Sequence, residues 1–360
     1  LALATNLRDL RQRIGRMVVA SSENGSPVSA EDLGVAGAAT VLLKDALWPN
    51  LLQTIEGQPA FVHTGPFANI ANGNSSVLAD NVGLSLGGFV VTESGFGSDI
   101  GMEKFFDIKC RASGRMPDAV ALVATVRALK MQGGGPAVRA GRSLPKEYTE
   151  EQLELLERGL DNLRAHIRIA RLFGVPVVVA LNAFDSDSTR EHERVIAAAR
   201  EAGAYDAVVT RHHAEGGAGA EELANAVTKA ADEESRPGFL YDLDQTIEEK
   251  IETLATKVYG AERVEYSPEA RARIEELSAS GYGDLPVCIA KTQLSISHDP
   301  ALKGAPSGYV FPIREIRANV GAGFLYALAG DIRTMPGLPS AAAYRGVDID
   351  VESGRVTGLF

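Results

Sequence analysis

Short apolar, often β-branched runs recur along the chain at Met17–Ala20, Ala60–His63, Phe89–Thr92, Ala119–Ala124, Val175–Leu181, Ala207–Thr210 and Pro286–Ala290. Several lack the polar alternation of a half-exposed strand, as strands covered on both faces of a parallel sheet do. Between them the hydrophobic period lengthens to that of amphipathic helices, at Ala30–Leu43, Glu151–Phe173 and Ser188–Ala202. Strands alternating with helices of this length predict βαβ units and a largely parallel sheet, an α/β fold. Pro176 and Pro286 each open a strand, a position where the missing N–H is tolerated. Ser188 reads as a helix cap, and Thr149 with Gln152 three residues on reads as a capping box. From Tyr309 to Phe360 the alternation turns β-like. The first residues, LATNLRDLRQRIGR, read as helix from a chain that begins at Leu1 without Met, so the amino terminus is expected to be a cut edge.

Four polar loops follow strand-like runs, and the carboxyl ends of strands are where open α/β sheets place ligands. In Gly87–Cys110 the run Phe89–Thr92 leads into Glu93-Ser94-Gly95-Phe96-Gly97-Ser98-Asp99. Gly95 and Gly97 permit close backbone approach, and an aromatic held between two glycines reads as a ring exposed for contact. In His63–Ser76, Asn69, Asn72, Asn74, Ser75 and Ser76 crowd a glycine-containing loop that feeds a helix at about Val77, an arrangement suited to an anion; the plainer reading is an Asn-rich turn with a serine cap. After Val175–Leu181 come Asn182, Phe184, Asp185 and Asp187, which suit the edge and face of a heterocycle or form an Asx turn. Thr210–Gly219 carries His212 and His213, but adjacent histidines without a third ligand at metal spacing argue against zinc. Gln132–Pro136 (QGGGP) is either a helix stop or a wall that lets backbone cross a nucleotide.

Charge and composition narrow the function. The 360 residues carry a net charge of −11, which argues against nucleic acid or anionic membrane as partners. Two distant cysteines imply no disulfide framework and fit a cytoplasmic setting. No apolar run is long enough to span a bilayer. The dipeptide Gly-Lys does not occur, so the chain holds no G-x-x-x-x-G-K-[ST] phosphate loop, and it shows neither a dinucleotide fingerprint nor a G-x-S-x-G elbow.

Seven segments carry a resemblance: GPFANIANGNSS, VVTESGFGSDIGMEKFFDIKCR, VATVRALKMQGGGP, LPKEYTEEQLELLERGLDNLRAHI, LNAFDSD, YGDLPVCIAKTQLSISHDP and the terminal GDIRTMPGLP with GLF. In order and over essentially the whole chain, they resemble the formate–tetrahydrofolate ligases, of which the chain would cover about the last two-thirds. The resemblance implies a P-loop NTPase-like parallel core, incomplete at its amino end, with two smaller α/β domains: 1–165 for nucleotide and formyl phosphate, 166–260 for folate-site loops, and 261–360. It implies ATP-dependent ligation of formate to tetrahydrofolate through formyl phosphate, with Mg2+, a monovalent cation (K+ or NH4+) and a cytoplasmic homotetramer. Phe96, Gly97 and Asn69 are implied beside the reacting groups. Phe184 and Phe96 are implied at the folate, with His213 at a place the family usually fills with Trp. Gly134, Gly135 and Asn182 are implied at the nucleotide, and no residue of the chain is implied as a metal ligand. The family's GPFANIAHG usually has His where this chain has Asn72. The competing expectation is an inactive fragment that only binds folate or assembles with partner subunits.

Overall fold

The computed structural model describes residues 1–138, 143–330, 332 and 342–358. The GDIRTMPGLP motif therefore lies largely, and the last two residues of GLF wholly, outside the described residues. At the amino end Asn6 accepts the Asp9 N–H at 2.9 Å and starts α1 (Leu7–Gly15). A hairpin of β1 (Val18–Ser21) and β2 (Pro27–Ser29) follows, then α2 (Ala36–Leu43), a second hairpin of β3 (Asn50–Gln53) and β4 (Pro59–Val62), and α3 (Val77–Ser85) with Ser76 as its cap.

Two expectations fail in this part. The runs near 17–20 and 60–63 are arms of antiparallel two-stranded sheets, not members of a parallel one. Each has a partner only a short turn away, and closing a short loop costs less chain entropy than a crossover. Phe89–Thr92 is no strand and belongs to none of the sheets. Phe89 is 67% exposed and Val91 89% exposed, so composition alone misled here. From Ser98 the chain winds in π-helical turns, Ser98–Met102 and Phe105–Cys110, into a final turn α4 (Arg111–Ser113) that stops at left-handed Gly114. This wide helix buries Asp99, Glu103, Lys104, Asp107 and Lys109.

The next sheet is parallel, as the pattern predicts. It joins β5 (Val120–Ala124), β6 (Val177–Asn182) and β7 (Asp206–Thr210), with β6 central and Val177–Leu181 wholly buried. Between the strands run α5 (Val126–Gln132), α6 (Leu153–Arg171) and α7 (Thr189–Glu201); α8 (His212–Glu215) and α9 (Glu221–Ala231) follow β7. Leu129, Leu156, Leu160 and Ile167 pack with Val179, Leu181 and Val195, while Ala226 and Ala230 meet Val178. Ser188 forms the expected cap of α7, with Glu191 completing a capping box. Thr149 does not cap α6. That helix starts at Gln152 without a side-chain cap, and the Gln152 N–H is taken by Glu191 Oε1 at 2.9 Å.

A four-stranded mixed sheet completes the fold. After α10 (Ile247–Lys257), β8 (Arg263–Tyr266), α11 (Pro268–Ala279), β9 (Val287–Ala290), β10 (Val310–Asn319) and β11 (Phe324–Ala329) assemble in the order β8-β10-β11-β9. The outer pairs are parallel and the β10–β11 pair is antiparallel. The β-like alternation after Tyr309 is this pair. One core cluster links Phe106 of the wide helix, Ile169 and Phe173, Ile251, Ile289 and Leu325. The architecture is mixed α/β with parallel sheets. Residue 165 lies within α6, and the sheet β5-β6-β7 joins chain on both sides of it.

Candidate active site

The loop after β4 and the turn before the wide helix interlock. The Gly95 N–H donates to Gly73 O at 3.0 Å, and Asn74 Nδ2 donates to Glu93 O at 2.9 Å and Ser94 Oγ at 2.7 Å. A Cβ on Gly95 would lie 2.8 Å from the Ala68 Cβ, and one on Gly101 would lie 1.9 Å from Gly95 O. Glycine is required at both by contact, not by conformation. Phe96 sits between them with φ of 63°, a left-handed backbone that costs a non-glycine residue about 1–2 kcal/mol. The residue is 47% exposed, and its ring meets the Phe67 ring edge-on at 5.8 Å. The N–H groups of Phe96, Gly97 and Ser98 take part in no hydrogen bond among the described residues. Asn72 is buried, and its Nδ2 likewise has no partner.

Beneath this turn lies a charged floor. Asn69 Oδ1 accepts the backbone N–H of Lys291, the residue after β9, at 3.1 Å. Lys291 Nζ donates to Asp99 Oδ2 at 2.5 Å, to Ser295 O at 2.6 Å and to Thr292 O at 3.1 Å. Three acceptors around one nitrogen require the ammonium form, since a neutral amine has only two hydrogens to give. From α6, His166 brings Nδ1 to 2.7 Å from Ser98 Oγ and 3.9 Å from Asp99 Oδ1. A Cβ on Gly97 would lie 3.0 Å from His166 Cε1 and 2.6 Å from Asp99 Oδ1, so the imidazole and carboxylate occupy the space a side chain would need.

Burial acts on each of these groups. It pushes the Asp99 carboxyl up, but the Lys291 ammonium outweighs it by charge and hydrogen bond and holds Asp99 below its ordinary value. Burial depresses Lys291 against the pull of Asp99, and it depresses His166, again opposed by Asp99. The floor is therefore an ion pair beside a neutral imidazole. One turn further along the wide helix, burial raises Glu103 well above the usual carboxylate range and Asp107 to about 7. Neither carboxyl has a hydrogen-bond partner among the described residues; Lys104 Nζ lies 3.9 Å from Glu103 Oε2, and Arg111 lies 3.6 Å from Asp107 Oδ1. Protonation relieves the charge that burial would otherwise leave on the two carboxyls.

The remaining expected residues lie elsewhere. Asn182 ends β6, and Phe184 follows in a turn closed by Asp187: the Phe184 N–H donates to Asp187 Oδ2 at 2.9 Å and the Asp187 N–H to Phe184 O at 3.0 Å. One face of the Phe184 ring is covered by the Arg127 guanidinium at 3.8 Å. His213 is exposed on α8, in a loop whose Gly217 N–H donates to Glu56 Oε1 in the β3–β4 turn at 2.6 Å. Gly133–Gly135 terminate α5: the Gly135 N–H reaches Lys130 O at 3.0 Å and the Gly134 N–H reaches Met131 O at 3.1 Å, with Gly134 left-handed. This is a Schellman stop, and it occupies the amides that a phosphate would need.

Asn69, Phe96 and Gly97 thus lie together around the Lys291–Asp99 pair, while Asn182 and Phe184 stand at the carboxyl end of β6. No hydrogen bond, ion pair or ring contact among the described residues connects Phe184 to Phe96. Lys291, His166 and Arg127 escaped the sequence analysis. The one available signal was a lysine ending the apolar run Val287–Ala290. Among the described residues no group of three or more His, Cys, Asp or Glu side chains could hold a metal ion, and no helix is long and apolar enough to cross a membrane.

Known proteins match this chain along its full length. The family model for formate–tetrahydrofolate ligase covers residues 1–360. A formate–tetrahydrofolate ligase of Roseiflexus castenholzii is 61% identical over 359 residues, covering 100% of this chain and 64% of that protein. The cytoplasmic C-1-tetrahydrofolate synthase of Pongo abelii is 59% identical and the mitochondrial monofunctional C1-tetrahydrofolate synthase of Bos taurus 58% identical, each over 363 residues and 100% of this chain. The chain spans 39% and 37% of the length of those two relatives. A family model that spans the whole chain, with relatives this similar across it, means that the chain belongs to the formate–tetrahydrofolate ligase family.

Proposed function

We propose that this chain serves the ATP-dependent ligation of formate to tetrahydrofolate, giving 10-formyltetrahydrofolate, ADP and phosphate by way of formyl phosphate. The observation that carries the reading is Phe96: a half-exposed aromatic residue on strained backbone, fixed above the Asn69–Lys291–Asp99 floor, in a chain of this family. Strain held in place by buried ionic contacts is the mark of a positioned functional residue. The uncommitted N–H groups of Phe96, Gly97 and Ser98 suit an acyl phosphate, whose hydrolysis is limited by fixed dipoles and exclusion of water. Phe96 and Phe184 would offer faces to the pterin, with His213 as a weaker second wall. Arg127 already covers one face of Phe184, leaving the other for the heterocycle.

Gly134, Gly135 and Asn182 are proposed beside the nucleotide as a wall only, because the glycine amides are bonded to α5. No phosphate-holding step is assigned to them. Magnesium with ATP, a monovalent cation and a homotetramer belong to the same reading. Phe184→Ala should raise the Michaelis constant for tetrahydrofolate about tenfold, as loss of one stacking face does; an unchanged constant removes Phe184 from the folate site. The occupied glycine amides also favour a second reading, a chain that binds folate without turning over. ATP-dependent phosphate release by this polypeptide excludes that reading, whereas folate binding without release supports it.

A further inference from the structure

From α6, His166 touches the Phe96 turn. Its Nδ1 faces Ser98 Oγ at 2.7 Å and Asp99 Oδ1 at 3.9 Å, while Ser98 Oγ also lies 3.3 Å from the carbonyl oxygen of His166. A carboxylate on the Nδ1 side favours the tautomer with hydrogen on Nδ1. Ser98 then accepts from the ring and donates to the His166 carbonyl, and Nε2 keeps its lone pair. The ring packs directly under Gly97, where a Cβ would lie 3.0 Å from Cε1, so Nε2 sits one bond beyond the point of contact with the turn. The side chain remains 19% accessible, unlike Lys291, which is fully enclosed.

We infer that His166 Nε2 accepts the proton released when the folate amine attacks the formyl carbon at the Phe96–Ser98 turn. This inference rests on the ligase reading above. In the step, the amine nitrogen forms a bond to the formyl carbon and the carbon–oxygen bond to phosphate breaks. Phosphate leaves with that electron pair, and the amine proton passes to Nε2, making an imidazolium. The charged groups acting on the ring account for its suitability. Asp99 from the wide helix stabilises the imidazolium, while Lys291 after β9 and Arg168 on α6 itself oppose it. The proton is therefore readily released to solvent after turnover.

Asn and His differ here in a useful way. In His166→Asn the amide occupies the place of Nδ1, so the bond to Ser98 survives, but nothing replaces Nε2. In the full chain, with formate, ATP and tetrahydrofolate, H166N is expected to bind tetrahydrofolate within about threefold of the unaltered protein. Its kcat should fall about 100-fold or more, the usual size of a general-base contribution, and the acid limb of its pH–rate profile should vanish. Ser98→Ala leaves the ring in place; it should keep the acid limb and lose less than about tenfold in kcat, even should H166N fail to fold. H166N turning over at the unaltered rate, or S98A giving a flat acid limb, overturns the inference and leaves the ligase reading standing. Absence of turnover in the unaltered protein overturns the ligase reading and the inference together.

Discussion

Phe96 combines two costs that a merely structural residue would avoid. Its backbone is left-handed and the residue is half in water. Glycine there would relieve the backbone by about 1–2 kcal/mol and forfeit about 0.5–1.5 kcal/mol of edge-on contact with Phe67. The two nearly cancel. Phe96→Gly should therefore leave the urea midpoint almost unmoved while weakening tetrahydrofolate binding at least about tenfold. A large loss of stability, or binding that persists, would show that the ring is held for packing. Phe96 was legible in the sequence because its cue is local, an aromatic between glycines. Lys291 was not: it meets Asp99 across 192 residues, and no spacing rule reaches that far. His166 was equally hidden, since it sits among the buried positions of an ordinary amphipathic helix.

At the scale of elements, α5 and α6 touch backbone to backbone. A Cβ on Gly159 would lie 1.9 Å from Leu129 O, and one on Gly133 would lie 2.0 Å from Leu155 O. Lys130 on α5 then reaches Glu191 on α7 at 2.7 Å, with both side chains fully enclosed. Gly159→Ala forces the helices apart and misaligns that ion pair. It should lower unfolding free energy by about 3 kcal/mol or more, the upper range of overpacking, although alanine is the better helix former. A neutral or stabilising result in a urea titration would mean that α5 shifts freely. Elements with strong periodicity, such as α6, α7 and β5 to β7, were legible because burial on defined faces writes that period. Phe89–Thr92 was not: it carries the composition of a buried strand but lies exposed. The hairpin arms β1 and β4 resembled parallel strands because a window of four residues does not encode the direction of its partner.

Over the whole molecule, the interior contains a column of carboxyl groups on the wide helix, Asp99, Glu103 and Asp107, against Lys104 and Lys291. Their opposed shifts give the stability a defined pH dependence. Asp99 is held below its ordinary value, so its contribution is present at neutral pH and is lost as pH falls through the acid range. Glu103 and Asp107 are raised, Asp107 to about 7, so the folded state retains protons there that the unfolded chain has released. Stability from that pair is complete below the ordinary carboxylate range. It falls as pH rises, at up to about 1.4 kcal/mol per pH unit for each retained proton, until the folded groups ionise near 7 and above. Glu103→Gln removes one titrating group from beside Asp107. Between pH 5 and 8 the thermal midpoint of the unaltered protein should fall more steeply than that of the variant, with the variant the more stable at pH 8. Parallel curves would mean that both carboxyls are ionised in the folded protein at all these values, with Lys104 and Arg111 balancing them. Asp99 of the floor and this buried carboxyl pair stand on consecutive turns of one helix. A weaker pH response in Glu103→Gln with unchanged turnover would separate what holds the fold from what serves the reaction.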